Sequence, residues 1–453
     1  MWCALIRPGS GALETVVENA DLPEQAIFMA TNSPASSTAS QTLARLRAGD
    51  LQGCKNLDLR GCGLTELPPE VLDLSDTLEV LDVSFNDLTE LPEGLSCLTR
   101  LHTFFASGNR FASVPSVLGR LPLLDTLGFK ANVITDVPDA ALAPTLRWLI
   151  LTDNRIAALP RSLVDCARMQ KLMLAGNRLT KLPTGTGRLQ RLELLRLSAN
   201  AFERVDDALP DELLSLPQLS WLAHAGNPFS AHREQVAQAL TDAASIPWAE
   251  LQMQALLGEG ASGQIHAAHW LPATSADAPS HDVAVKLFKG EVTSDGLPQC
   301  EMAATLAAGT HPHLVGVLGV LEGHPQGVQG LVLPRLGQQW SPLAGPPSMV
   351  SCSRDIYSAG LRIPAAHAEA IIRGASEALE HLHARGLTHG DLYAHNLLVD
   401  GEGGALVSDF GAASFLPLED ADRVDALKVI DRRALQVLVS EVTERSEPST
   451  HVR

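Results

Sequence analysis

One spacing constrains this chain more than any other feature. The segment "LEVLDVSFNDLTELP" at 78–92 recurs as "LRWLILTDNRIAALP" at 146–160 and as "MQKLMLAGNRLTKLP" at 169–183. The shared pattern is LxxLxLxxNxLxxLP. Its asparagine position is held in turn by Cys62, Asn86, Asn109, Asn132, Asn154, Asn177, Asn200 and Asn227, at steps of 24, 23, 23, 22, 23, 23 and 27 residues. A fixed period of this size means stacked units, because one unit cannot hide its own apolar side. Each repeat is expected to supply one short strand whose alternating leucines enter a shared core. The buried asparagine bonds main-chain groups where the strand turns away, and Cys62 is a weak substitute there.

Over roughly residues 51–229 this pattern resembles a leucine-rich-repeat domain, which implies a curved α/β solenoid. The stretch "QTLARLRAGDLQG" before it reads as a capping helix, so the repeat domain is taken as 41–229. Strand positions that point outward would line the concave face: Asp58, Asp82, Phe105, Lys130, Ile150, Met173 and Arg196. Phe105, Ile150 and Met173 form either an apolar contact patch for a protein partner or ordinary strand-favouring residues with no partner. The face as a whole shows no single charge sign and names no ligand.

Composition narrows the partners. Of 453 residues, 45% are hydrophobic and 19% charged, so an extensive core is expected. Lys and Arg total 34 against 52 Asp and Glu, a net charge of −18. Such a surface repels phosphate backbones and anionic lipid, so neither nucleic acid nor a membrane is the expected partner. No apolar run approaches the ~20 residues that cross a bilayer. The seven cysteines are odd in number, scattered and free of any CxxC, as in a reducing, cytoplasmic setting. The N-terminus lacks a sustained apolar segment with a small-residue cleavage site, so no signal peptide is expected. Residues 1–40 read as a disordered leader, rich in Ser, Ala and Thr from Met29, which is an alternative start.

After "AGNPF" the leucine rhythm stops. A helical linker is expected over 230–244, and a second domain over 245–453. "LLGEGASGQIHAA" at 256–268 places Gly258, Gly260 and Gly263 in GxGxxG order. A dinucleotide-binding turn shares that signature but wants an acidic strand end about 20 residues later. Instead comes "DVAVKLF" at 282–288 with Lys286, then Glu301 on an expected helix, "HPHLV" at 311, "HGDLYAHN" at 389–396 and "VSDFGAA" at 407–413. Asn396 lies five positions after Asp391, and Asp409 thirteen positions after Asn396.

In order and spacing this set resembles a protein kinase of the tyrosine-kinase-like branch. Together with the repeats, residues 41–440 resemble bacterial leucine-rich-repeat protein kinases. The resemblance implies a two-lobed α+β domain that binds ATP and Mg²⁺. Gly258, Gly260 and Gly263 would let backbone N–H groups approach the phosphates. Ile265 and Ala284 would cover one face of the adenine and Leu398 the other, with Leu333 at the gate to a back pocket and Pro334 to Leu336 as the hinge. Lys286 would contact the phosphates and pair with Glu301, Glu291 being the alternative acid. Asn396 and Asp409 would hold magnesium, and Asp391 would receive or orient the substrate hydroxyl proton. The histidines of "HLHARG", His381 and His383, invite a metal reading, but residues two apart on a helix point apart.

Three departures qualify the resemblance. Gly390 stands where many kinases carry an arginine that clasps an activation-loop phosphate, and only Ser414 follows the DFG before the next helix. Tyr393, Ala394 and His395 replace the common KPE, so Ser/Thr specificity is only a family default. Last, Asp431, read as opening the large C-lobe helix, lies 22 residues beyond Asp409 with no APE between them, so a shortened C-lobe is expected. Two functions follow: an ATP-dependent protein kinase with a repeat array that binds a protein partner, or a repeat-based interaction protein whose kinase-like module binds nucleotide without transfer.

Overall fold

The computed structural model describes residues 36–239, 243–260, 262–273, 280–290 and 292–448. Most of the expected leader lies outside this range. The described chain forms two compact units. One runs to Phe229 and takes in Val292–Gly296; the other holds Ser230–Glu291 and continues from Leu297.

The first unit begins with α1 (Ser36–Arg47), a helix that reaches back into the expected leader. Eight three-residue strands follow: β1 (Asn56–Asp58), β2 (Val80–Asp82), β3 (Thr103–Phe105), β4 (Thr126–Gly128), β5 (Trp148–Ile150), β6 (Lys171–Met173), β7 (Leu194–Arg196) and β8 (Trp221–Ala223). They form one parallel sheet in chain order. The central residue of every strand stacks on the next, from Leu57 on Leu81 and Phe104 through to Leu195 on Leu222. These side chains are the buried spine of the solenoid. On the opposite side, Pro68, Pro92, Pro115, Pro138 and Pro160 each start a short 3₁₀ turn, with φ between −56° and −69°. Proline cannot extend the ladder and already holds the required φ, so the LxxLP ending sets the return path.

The asparagine ladder takes the expected role in detail. Asn154 Oδ1 accepts from Ile134 N at 3.0 Å, while its Nδ2 donates to Phe129 O at 2.9 Å and Leu151 O at 3.1 Å. Asn86, Asn109, Asn132 and Asn177 repeat this bridge between neighbouring turns. Cys62 does something else: its Sγ donates to Ala39 O of α1 at 3.4 Å, which ties the cap to the first repeat. Each ladder residue is preceded by left-handed backbone. Gly108 and Gly176 occupy that position easily, but Phe85, Ala131, Asp153 and Ala199 also sit there, at φ 54° to 59°.

The outward strand positions differ from expectation in two ways. Gly128, not Lys130, pairs with Phe105 and Ile150 in the ladder. Lys130 falls on the same side but two residues later, past the strand end. Phe105, Ile150 and Met173 are buried rather than an open apolar patch. Phe105 lies across Gly128, where a Cβ would come within 2.5 Å of its ring. Met173 Sδ accepts from Trp148 Nε1 at 3.4 Å, and the Lys171 ammonium sits 4.6 Å from the Trp148 ring centre. Arg196 is also buried, with its Nε bonded to Asp295 at 2.7 Å inside the same unit.

Helix α2 (Pro228–Ala239) covers part of the linker expected over 230–244, and β9 (Ala244–Pro247) begins at the last residue of that range. The main sheet of the second unit has the order β10-β11-β12-β14-β13-β9, where β10 is Leu251–Glu259, β11 Gly263–Trp270, β12 His281–Phe288, β13 Gly319–Glu322 and β14 Gly330–Pro334. Helix α3 (Pro298–Ala308) lies between β12 and β13 in sequence. Then come β15 (Ser341–Pro342), α4 (Ala365–Ala384), β16 (Leu387–Thr388), β17 (Leu397–Val399), β18 (Ala405–Val407), β19 (Ser414–Phe415) and α5 (Ala421–Arg445). Asp431 sits inside α5 instead of opening it. The Asp420 side chain caps the helix earlier by accepting from Arg423 N, and no Pro or Gly interrupts the run between. No described helix is long and apolar enough to cross a membrane.

Replacing Asn154 with Ala should orphan the Ile134 amide and lower unfolding free energy by about 2–4 kcal/mol in denaturant titrations, with Cys62→Ala costing under about 1. A second prediction concerns Asp82, whose carboxyl burial raises from 3.8 to about 6, against bonds from Ser84 and the charge of Arg60. A raised pKa means the folded chain keeps a proton that the unfolded chain has lost. Stability from this group is therefore present below about pH 4 and falls as pH rises to about 6. Asp82→Asn should raise the unfolding free energy at pH 7 by about 1–3 kcal/mol and leave it unchanged at pH 4 in denaturant titrations.

Candidate functional site

Alternation along β12 builds one wall of the site. Val283 and Val285 face Ile246, Leu321 and Val332. Ala284 and Phe288 face the other way, into a buried cluster with Ile265, Met302, Leu306, Leu331, Leu333 and Leu398, against which Leu336 also packs. Lys286 shares that second face by strand periodicity, its ammonium 5.0 Å from the Phe288 ring centre. Four residues expected around an adenine, Ile265, Ala284, Leu333 and Leu398, thus belong to one cluster. Leu333 faces Ala284 across the β12–β14 ladder.

The ammonium of Lys286 meets the carboxylate of Glu301 on α3, and both residues are about 95% buried. Glu291, the alternative acid, lies outside the described residues. Burial pushes the Glu301 carboxyl above its ordinary range, against the pull of Lys286, while Asp409 adds to the rise. Met302 and Leu306, on the same helix, anchor it in the apolar cluster.

The glycine loop is the tip of the β10–β11 hairpin. Gly258 pairs with Ile265 and Glu259 with Gln264, and Gly260 N donates to Gly263 O at 2.9 Å. A Cβ at Gly263 would stand 2.2 Å from Leu287 O, so only glycine lets β11 approach β12 there. Lys289 holds the tip from below through Glu259 at 2.7 Å.

The third part is the turn after β16. His389 N and Gly390 N donate to the Asp431 carboxylate at 2.9 and 3.0 Å, and the His383 ring meets the same carboxylate at 2.9 Å. Gly390 has φ 70°, a left-handed conformation that an arginine adopts only under strain. Asn396 Nδ2 then donates to Asp391 O at 2.9 Å and Asp391 Oδ2 at 2.8 Å. Ser408 joins this turn to the DFG segment, its N and Oγ donating to Asn396 O at 2.9 and 2.8 Å. Asp409 has φ 62° and accepts from Gly411 N at 3.1 Å, while Phe410 packs beside the His389 ring. His381 bonds Ala308 O, so it and His383 serve separate partners.

These residues suit magnesium. The Asn396 amide nitrogen is turned to Asp391, which directs its oxygen elsewhere, and Asp409 offers a carboxylate. Mg²⁺ binds through one or two such hard oxygens, completed by phosphates and water. Among the described residues no three His, Cys, Asp or Glu gather into a metal cage.

Sequence reasoning missed Asp355. Its buried carboxylate accepts from His395 N at 3.0 Å and from the His395 ring at 2.8 Å, beside Asn396. Forty positions separate the pair, and no spacing rule links them.

Residues 251–433 match the family described as protein tyrosine and serine/threonine kinase, and residues 77–98 match the leucine-rich repeat. Among solved structures, the chain is similar to an internalin (inlF) from Listeria monocytogenes at 22% identity and TM-score 0.33, over 38% of this chain and 47% of that one. It is also similar to the LRR protein LIC12759 of Leptospira interrogans at 21% identity and TM-score 0.28, over 44% and 66% respectively. The chain therefore spans less than two thirds of the length of either structure.

The buried ion pair makes its own prediction. Glu301→Gln should cost about 3–5 kcal/mol in denaturant unfolding, because it removes one of the negative charges, Asp409 being another, that offset the buried Lys286 ammonium. The apolar double variant K286M/E301L should recover most of that loss.

Proposed function

We propose that this chain, which joins leucine-rich repeats to a domain of the protein tyrosine and serine/threonine kinase family, is a protein kinase that moves the γ-phosphate of ATP to a protein hydroxyl. The observation that carries the reading is the buried Lys286–Glu301 pair on the same face as the Ile265, Ala284, Leu333 and Leu398 cluster. Phosphoryl transfer asks for positioning and charge neutralisation more than covalent help. The adenine would lie between Ile265 with Ala284 and Leu398, with Leu333 and Leu336 lining its edge. The loop backbone from Gly258 to Gly263 would approach the phosphates, with the expected Gly260 N–H instead spent on Gly263 O. Lys286 would hold the α- and β-phosphates, its rotamer fixed by Glu301. Magnesium, held by Asn396 and Asp409, would neutralise charge on the transferred group. Asp391, steadied by the Asn396 amide, would receive or orient the hydroxyl proton.

Ser414 is fully buried, and its Oγ donates to Ala412 O. This supports a kinase that needs no phosphate on its activation segment. Ser or Thr is the acceptor by family default. We assign the repeats a protein partner. The buried Phe105, Ile150 and Met173 take the apolar patch out of that surface, and the exposed part of the face includes Asp58 at the N-terminal end. A cytoplasmic location accords with Cys54, Cys62, Cys97, Cys166, Cys300 and Cys352 all being free thiols.

The rival reading, a nucleotide-binding module without transfer, is favoured by one observation: α5 starts at Ala421, twelve positions after Asp409, which leaves no room for an APE-type docking segment. Purified protein with labelled ATP, Mg²⁺ and generic substrates separates the two. Asp391→Asn should lower transfer by about 10²- to 10⁴-fold. Equal background from both proteins would remove the transfer reading. Lys286→Met should abolish ATP-dependent thermal stabilisation, and stabilisation that survived it would remove the pocket.

A further inference from the structure

Between β15 and α4 the chain runs through a strap, residues 343–364. Leu343 N donates to Leu397 O at 2.9 Å, which fastens its start to β17. Gly345 and Ile356 exchange backbone bonds at 2.8 and 2.9 Å and close the strap into a loop. Its far end is fastened to α5. Tyr357 Oη donates to Glu441 at 2.9 Å, and the Arg445 guanidinium lies 3.7 Å from the Tyr357 ring centre. Ile363 N donates to Arg445 O at 3.0 Å, and Glu447 N donates to Ile363 O at 2.8 Å.

Asp355 stands at the closing point of this loop with its side chain fully buried. Both carboxylate oxygens go to one residue, His395: Oδ2 takes the backbone N–H at 3.0 Å and Oδ1 the ring Nδ1 at 2.8 Å. A carboxylate only accepts, so Nδ1 carries the proton. Main chain and ring of His395 are thereby held together. The next residue is Asn396, whose amide spans Asp391 O and Oδ2. A rotation at His395 would swing that amide away from Asp391.

We propose that Asp355 is a positioning residue for phosphate transfer: by clasping both the backbone and the ring of His395 it sets Asn396 toward the metal–nucleotide and Asp391 toward the acceptor. This rests on the kinase reading. It also gives the strap a task. Helix α5 starts twelve positions after Asp409 with no APE between them, and the strap braces the Asp391 turn against that helix. Partners behind a metal ligand commonly change metal affinity or activity by about 10- to 100-fold when removed.

The test uses the full chain and reads the Mg²⁺ concentration at half-maximal ATP-dependent thermal stabilisation, together with kcat and the KM for ATP. Asp355→Asn keeps the volume but removes one acceptor. It should raise the Mg²⁺ midpoint about tenfold and lower kcat, with the KM for ATP within about twofold. Tyr357→Phe breaks the same strap elsewhere and should lower the melting temperature without moving the midpoint. His395→Asn, whose amide can replace the Nδ1 donor, should behave like wild type, whereas His395→Ala should resemble D355N. If D355N does not fold, the two His395 variants carry the same readout. A wild-type midpoint in folded D355N, or in H395A, would overturn the positioning role, as would a Tyr357→Phe midpoint shifted as far as that of D355N. A wild-type chain that ignored both ATP and Mg²⁺ would overturn the kinase reading itself, and this inference with it.

Discussion

A buried ammonium facing a buried carboxylate is a poor way to hold a protein together. Lys286 and Glu301 give up water on both sides, and apolar side chains of similar size would serve stability as well or better. Their contact requires three things at once: the β12 alternation that turns residue 286 toward Ala284 and Phe288, the ladder with β14, and a helix α3 docked through Met302 and Leu306. Any slip by one strand residue would turn Lys286 to the Val283 side. The pair therefore acts as a check on the whole lobe, and its expense fits a group kept for chemistry.

The lower half of the same unit depends on a second buried carboxylate. Asp431 collects the amides of His389 and Gly390 and the ring of His383. It does so from inside α5, a helix of 25 residues that also receives the strap. Two attachments, one on α5 itself and one on the strap that α5 holds, account for the order of this turn. One attachment fixes where the turn begins, through Asp431. The other fixes where it ends, through Asp355 and His395.

Much of this was legible beforehand, and the misses have physical causes. The period near 23 marks all eight strands, because each ladder asparagine must bridge two turns. Lys130 was misplaced because residues two apart on a strand share a side, and nothing in the sequence says which lies level with Phe105. The burial of Phe105 depends on the bare Gly128 of the next strand, a neighbour in space that composition does not reveal. Left-handed backbone before the ladder is visible at Gly108 and Gly176 but hidden at Phe85, Ala131, Asp153 and Ala199, where side chains tolerate strain. In the second unit the Lys286–Glu301 contact and the hairpin position of the glycine loop follow the expected order, because strand alternation and bare glycine backbone are local properties of the sequence. The start of α5 was not legible, since no Pro or Gly marks it. Asp355 was invisible because a lone aspartate in a loop looks like any solvated charge until the fold closes around it.

Gly390 carries a consequence for any phosphate clasp at this turn. Its left-handed backbone and its N–H bond to Asp431 leave the position adapted to having no side chain. An arginine placed there would take a backbone conformation that opposes it. The one hydroxyl between Asp409 and α5, that of Ser414, is sealed inside the fold, where a phosphate group would have no room.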